Sequence, residues 1–336
     1  MKKPAVSVLL PFRNAEQYFN EALASITEQT FTDYEAVLIN DGSEDSSILL
    51  AEEWCLKDSR FMVANSAGTG LVDALNTGLE RCSGTWIARM DADDISLPDR
   101  IEKQYRLAVS MGPRTIVSCQ VRSFPDNIVT RGYRLYEHWL NSLLEPEEIE
   151  KNLFIESPVP HPSAFYHRRS ILSEGGYTER KLPEDYELWL RLWSRGYRFA
   201  RVPEVLLKWR DREDRLSRTS SAYSLTNFYK LKAKYLEYVP CMSGKIIYVA
   251  GSGKTARRLE KFLQDNDFYI EAFIDPYEKR RGMMLRGRPV MGPDELSRRS
   301  GIPVVIASRL PGARISIMEF LDRLGFIEWE DYVACS

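Results

Sequence analysis

Apolar residues along the first hundred positions follow two alternating periods. Short unbroken runs at Val6–Leu10, Ala36–Ile39, Phe61–Ala64 and Trp86–Met90 read as buried strands. Between them, apolar positions recur every three or four residues. The sets are Tyr18, Phe19, Ala22, Leu23 and Ile26, then Leu49, Leu50 and Trp54, then Leu71, Ala74, Leu75, Gly78, Leu79 and Cys82. That spacing predicts helices with one buried face. Pro11 is expected to end the first strand and Asn14 to cap the helix after it. Pro98 is expected to open the helix that follows Trp86–Met90. Repeated strand–helix units imply an α/β fold, a mainly parallel twisted sheet with helices on both faces.

The pattern weakens between residues 121 and 160. Ile116–Cys119 and Ser163–His167 read as strands and Pro146–Leu153 as a short helix. Asp185–Arg195 is a strong helix, with Leu188, Trp189, Leu192 and Trp193 inward. Residues 208–221 are rich in charge, Ser and Arg, and are expected to form a mobile loop. Residues 223–238 read as a linking helix stopped by Pro240. A second α/β unit starts at Lys245. Its strand Ile246–Ala250 leads through Gly251-Ser252-Gly253 into a helix with Ala256, Leu259, Phe262 and Leu263 inward. Strands at Glu271–Ile274 and Val304–Ala307 and a helix at Ile315–Leu324 follow. The expected organisation is one domain over residues 1–222, a linker over 223–243, and a smaller Rossmann-like domain over 244–336.

With 44% hydrophobic and 28% charged residues, the chain has the profile of a folded globular protein rather than a disordered one. A net charge of −2 removes the global basic field that nucleic-acid binding would use, and basic runs such as Lys279–Arg281 read as solvated surface. The five cysteines are isolated and form no Cys-x-x-Cys pair, which fits a reducing compartment. The apolar start at Val6 is broken by Pro11, Arg13 and Asn14 before any signal-peptide pattern develops. No apolar run approaches the roughly 20 residues that span a bilayer. The expected location is the cytoplasm, with peripheral membrane contact and oligomeric state left open.

In an open parallel sheet, ligands bind beyond the carboxyl ends of the strands. That rule selects Pro11–Asn14, Asp41-Gly42-Ser43 and Asp91–Asp94. Two carboxylates in Asp91-Ala92-Asp93 suit a hard divalent ion, and such an ion neutralises a departing diphosphate. The same residues could equally cap the helix after Pro98. Glu184-Asp185 opens an amphipathic helix. The pair either complements the helix dipole or supplies a general base, with Glu184 raising the pKa of Asp185.

Ordered segments bring these fragments together. V-S-V-L-L-P-F-R-N, L-I-N-D-G-S-E-D-S, T-G-L-V-D-A-L-N-T-G-L, W-I-A-R-M-D-A-D-D-I-S-L-P-D-R and P-E-D-Y-E-L-W-L-R-L closely resemble successive segments of family 2 glycosyltransferases, across roughly residues 5–220. The resemblance implies a GT-A fold, a nucleoside-diphosphate-sugar donor (a UDP-sugar first), Mg2+ or Mn2+, and inversion at the anomeric carbon. By position it implies that Pro11, Phe12 and Asn14 line the nucleotide pocket and that Asp41 contacts the base. Asp91 would lie near the ribose or metal, Asp93 would be the metal ligand, and Asp185 the catalytic base. Asp94 reads as structural, capping the next helix. His161, in H-P-S-A-F-Y, falls where the family places its acceptor site, or is merely packed. The acceptor, a glycan or lipid-linked hydroxyl, is not specified.

Two positions depart from the family pattern. Asn40 stands where an Asp is usual, and Arg212 where a His is expected. Arg212, or Arg210 or Arg215 instead, could pair with phosphate oxygens in a loop that orders over the donor.

In the second unit, Gly251-x-Gly253-x-x-Ala256 with Asp275 about 20 residues on matches the dinucleotide pattern. There Gly251 would allow the turn, Gly253 would let a phosphate approach, and Asp275 would bind a ribose hydroxyl. This half also resembles the small domain found with some sugar acetyltransferases. It reads either as a nucleotide site or as a packing or oligomerisation module. The function expected is sugar transfer in cell-surface glycan synthesis. The alternatives are an NAD(P)-linked sugar-nucleotide oxidoreductase and a non-catalytic sugar-nucleotide-binding protein.

Overall fold

The computed structural model describes residues 3–178 and 181–336. The chain divides into two compact units, one formed by residues 1–150 and 158–221, the other by 151–157 and 222–336.

In the first unit, strands β1 (Val6–Phe12), β2 (Tyr34–Asn40), β3 (Phe61–Asn65) and β4 (Trp86–Arg89) pair in parallel in the order β3-β2-β1-β4. Helices α1 (Glu16–Thr27), α2 (Ser47–Lys57) and α3 (Leu71–Arg81) connect them. Beyond β4 the sheet becomes mixed. Strands β5 (Ile95–Ser96), β6 (Thr115–Phe124), β7 (Phe165–His167) and β8 (Arg198–Arg210) complete the order β4-β7-β6-β8-β5, with β7 antiparallel to β4 and to β6. Helices α4 (Arg100–Met111), α5 (Arg131–Ser142), α6 (Pro146–Lys151), α7 (Arg168–Ser173), α8 (Glu184–Ser194) and α9 (Leu216–Thr219) lie along this half.

Strand β1 runs past Pro11, contrary to the expected stop. Met90 N donates to Leu9 O, so Leu9 and, two residues on, Pro11 face β4, and the β4 ladder ends at Leu9. The missing proline N–H therefore has no ladder partner to lose. Gly78 lets α3 lie directly on β1, since a Cβ there would sit 2.1 Å from Leu9 Cδ1. The core beneath β1, β2 and β4 is formed by fully buried Leu10, Phe19, Leu23, Leu38 and their neighbours. Each such side chain contributes about 1.5–3 kcal/mol.

The second unit continues with α10 (Leu225–Leu236), β9 (Ile246–Ala250), α11 (Lys254–Asp265), β10 (Tyr269–Ile274), β11 (Met284–Leu285), β12 (Arg288–Met291), β13 (Val304–Ile306), α12 (Pro311–Arg323) and β14 (Tyr332–Ala334). Its sheet order is β11-β12-β10-β9-β13-β14, parallel except for the β11–β12 hairpin. The strip at 151–157 belongs here. Leu153 and Phe154 are fully buried, Ile155 packs on the second core, and the Phe154 ring lies 6.2 Å from that of Trp329. Lys232, on the helix expected to be a linker, is buried and donates to Ile155 O at 2.8 Å and Cys335 O at 3.0 Å. Among the described residues no helix is long and apolar enough to cross a membrane, and all five cysteines are free.

Candidate active site

The carboxyl ends of β1, β2 and β4 meet at one edge of the first sheet. At the end of β1, Phe12 is buried against Phe19, with ring centroids 4.7 Å apart. Asn14 does not cap α1, whose N-cap is Ala15 without a side-chain bond. Instead Asn14 adopts φ 49°, accepts from Glu44 N at 2.8 Å and donates its own N–H to Ser43 Oγ at 3.1 Å. It fastens the β1 loop to the β2 loop, and the short amide side chain tolerates the left-handed backbone. Asn40 accepts from Ser43 N at 2.9 Å while donating to Asn65 Oδ1 at 2.9 Å. A carboxylate could not make that donation, so Asn fits this position for local reasons. Asp41 accepts from Gly70 N at 2.7 Å, and burial raises its pKa against the lowering effect of that bond.

At the end of β4, Asp91, Asp93 and Asp94 each offer a carboxylate oxygen, all within 4.8 Å of one another. Three like charges this close oppose each other's ionisation unless a cation joins them. Burial, then Asp91, raises Asp93. Burial, then Asp93 and Asp91, raises Asp94 well above the usual range. Burial would also raise Asp91, but Arg89 and then His161 overcome it and hold its pKa low. Arg89, fully buried within β4, forms an ion pair with Asp91. Asp94 does not cap α4, which starts from Asp99. Its Oδ1 accepts from Arg210 N at 2.8 Å, pinning β8 to this loop, and its buried Oδ2 has no hydrogen-bond partner among the described residues. An orphaned carboxylate oxygen beside two further carboxylates fits a hard divalent ion, for which Asp93 and Asp91 are the more accessible ligands.

The network continues from Asp91 to α8. Arg89 is held in its charged form by Asp91, Tyr177 and Glu184 against the opposing effect of burial. His161 is buried, with Nε2 2.8 Å from Tyr177 Oη and Nδ1 3.5 Å from Glu184 Oε1. Tyr177 Oη also meets Tyr166 Oη at 3.0 Å. Burial, then Arg89, lowers the pKa of His161, so the ring is neutral near pH 7. Asp185 opens α8 beside Glu184 and retains partial solvent access. Burial, and then Glu184, push its pKa up to about 8. The structure thus connects Asp91, His161, Glu184 and Asp185, and sequence reasoning missed the residue that joins them. The signal for Arg89 was a single charge inside the apolar run Trp86–Met90.

The segment at 208–221 is ordered locally rather than loose. Asp211 is fully buried and pairs with Arg218, and Arg215 stacks on Trp209 at 4.5 Å while donating to Tyr133 Oη at 2.6 Å. Arg210 is committed to protein groups. Its Nε donates to Asp93 O at 2.7 Å, and its guanidinium lies over Tyr18 and Phe124. Arg212 instead reaches Asp93 Oδ2 at 3.0 Å, without hydrogen-bond alignment, and Asp214 at 3.5 Å.

In the second unit, Gly251 and Gly253 occupy the turn between β9 and α11. Gly251 has φ 117°, and a Cβ there would lie 2.9 Å from Ala307 O, so only glycine fits. Asp275 is at the expected strand end but buried. Its Oδ2 accepts from Ser252 and Arg280 and its Oδ1 from Tyr277 N at 2.9 Å, so it is not free to bind a ribose as expected.

The chain's sequence matches the model of glycosyl transferase family 2 over residues 7–176. The amylovoran biosynthesis glycosyltransferase AmsE of Erwinia amylovora is 33% identical over 215 residues, 63% of this chain and 78% of that protein. Among solved structures, S. aureus TarS 1-349 in complex with UDP-GlcNAc has a similar fold. Its TM-score is 0.54 at 17% identity, covering 80% of this chain and 74% of that one. The mannosyltransferase PcManGT from Pyrobaculum calidifontis, in complex with GDP-Man and Mn2+, gives 0.50 at 16% identity, over 98% and 78%. The chain belongs to glycosyl transferase family 2 and is a glycosyltransferase. The oxidoreductase and non-catalytic alternatives give way to that membership.

Proposed function

We propose that this protein is an inverting glycosyltransferase that moves a sugar from a UDP-sugar to an acceptor hydroxyl in the synthesis of a cell-surface polysaccharide. The observation that carries the reading is the series of interacting groups that runs from Asp91 through buried Arg89, His161 and Glu184 to Asp185. It supports reading the acidic cluster as the phosphate side and Asp185 as the acceptor side of one site. The UDP-GlcNAc bound by TarS and the amylovoran pathway of AmsE support the donor and the product class.

Pro11, Phe12 and Asn14 shape the floor under the nucleotide, and Asp41 receives its base. Asp93 and Asp91 would hold Mg2+ or Mn2+, as the Mn2+ of PcManGT supports; when bound, such an ion neutralises charge on the departing diphosphate. Arg89 keeps Asp91 ionised and oriented. Arg212 leaves Asp93 and pairs with phosphate oxygens. Asp185 takes the acceptor hydroxyl proton as that oxygen bonds to the anomeric carbon on the face opposite the diphosphate, which inverts its configuration. A carboxylate raised toward pH 8 is a stronger base than an ordinary one, at the cost of being partly protonated at neutral pH. Neutral His161 keeps Glu184 in place beside it.

The test is a donor screen that measures metal-dependent nucleoside diphosphate release and the anomeric configuration of the product. A product that retains the donor's configuration overturns the mechanism, and activity unchanged by a chelator overturns the metal assignment.

A further inference from the structure

We infer that the second unit holds its own binding site for a pyrophosphate-bearing nucleotide, gripped by a guanidinium and not by a ribose-binding carboxylate. Strand order reverses at β9, with β10 and β12 on one side and β13 and β14 on the other. Ligands of open parallel sheets bind at such a switch point. A cleft of about 880 Å³ opens there, lined by the turn at 251–255, the end of β10 and one side of α12. That volume suits a nucleotide-sized molecule.

Three features select the ligand. Gly253 is the N-cap of α11, makes no side-chain cap bond, and has nothing within 4 Å of where a Cβ would stand. Gly253, Lys254 and Thr255 line the cleft, so the first turn of α11, the positive end of its dipole, borders it. Buried Asp275 and Ser252 anchor Arg280, whose Nη1 donates to Ser252 Oγ at 2.7 Å and Asp275 Oδ2 at 3.0 Å. Half of the Arg280 side chain stays exposed in the cleft, and cationic side chains outnumber carboxylates there five to two. Leu310, Ile317 and Phe320 add an apolar stretch of wall. Phosphates belong at the turn and Arg280, and a base or other flat ring at that wall.

The experiment is hydrogen–deuterium exchange on the full chain with UDP, ADP, NADP+ and inorganic pyrophosphate in turn, which reads this cleft separately from the first unit. At least one nucleotide should slow exchange in 251–256 and 308–320, and Arg280→Glu should raise its half-saturating concentration by about tenfold or more. Gly253→Val should have a like effect by filling the cradle, while β9 and β13 keep wild-type protection and so report that the fold is intact. The differing nucleotides identify the base. Absence of protection by every nucleotide, protection unchanged in both variants, or pyrophosphate alone protecting as well as any nucleotide would each overturn the proposal.

Discussion

Two sheets in this chain expose the carboxyl ends of parallel strands, and they handle charge in opposite ways. The first edge concentrates carboxylates and balances them with arginines. Asp91 rests on Arg89 and Asp93 lies beside Arg212, while Asp94 accepts only a backbone N–H, that of Arg210. The second edge hides its one strand-end carboxylate and presents a bare glycine turn with a guanidinium beside it. One topological rule therefore yields a cation-seeking edge, where Asp91 stays part-exposed over buried Arg89, and an anion-seeking edge, where Asp275 is buried and Arg280 reaches outward.

The comparison breaks most easily at Asp93. Asp93→Ala should lower kcat by about a thousandfold, several kcal/mol of lost metal-assisted stabilisation, when nucleoside diphosphate release is followed with Mn2+ present. A near-wild-type rate would remove the cation-seeking character of the first edge. Asp185→Asn should lower kcat by about a hundredfold, the lower range of general-base effects. In the wild type, the rate should climb with pH until about pH 8 and then level off, because only the ionised carboxylate accepts a proton.

Stability should move the other way. Between the ordinary carboxylate pKa and about 8, the folded state keeps a proton that the unfolded chain has lost. Wild-type stability therefore falls as pH rises through that window. Asp185→Asn removes the slope, so its Tm advantage should widen from pH 5 to pH 8 in thermal scans.

A milder contrast separates the two glycines of the second edge. Gly251→Ala should cost about 1–3 kcal/mol in denaturant unfolding, through backbone strain and the clash at Ala307 O, whereas Gly253→Ala should cost less than Gly251→Ala. Arg212→Ala is the smallest effect. It should weaken donor binding by about tenfold in a direct titration, since a charge-assisted phosphate contact is worth that much. Unchanged donor affinity and turnover would end the phosphate role.

The parallel half of the first sheet was legible because β1, β2 and β4 are buried on both faces and so read as unbroken apolar runs, and part-exposed β3 is still apolar from Phe61 to Ala64. Strand β8 was not, because Arg198, Arg201, Lys208 and Arg210 interrupt it. Arg201 is nonetheless buried, donating to the carbonyls of Leu140, Leu143 and Pro158. Helix α5 escaped for a related reason. Its inward face is aromatic and carries buried Glu137, while Leu135 points to solvent. At the site, spacing located the acidic loop, but only folding revealed Arg89 as the link to α8. The roles of Asn14, Asp94 and Asp275 shifted because short polar side chains bond whichever backbone or side-chain group the tertiary fold supplies.

The strip at 151–157 has a consequence for anyone dividing this protein. The chain leaves its first unit for those seven residues, returns until 221, and only then finishes the second. A shortened protein ending near residue 221 would carry Leu153, Phe154 and Ile155 stripped of their cover, and is expected to be sticky and poorly soluble. During synthesis the same strip waits for partners made more than seventy residues later. The two halves share their sequence too closely to be separated by a single cut.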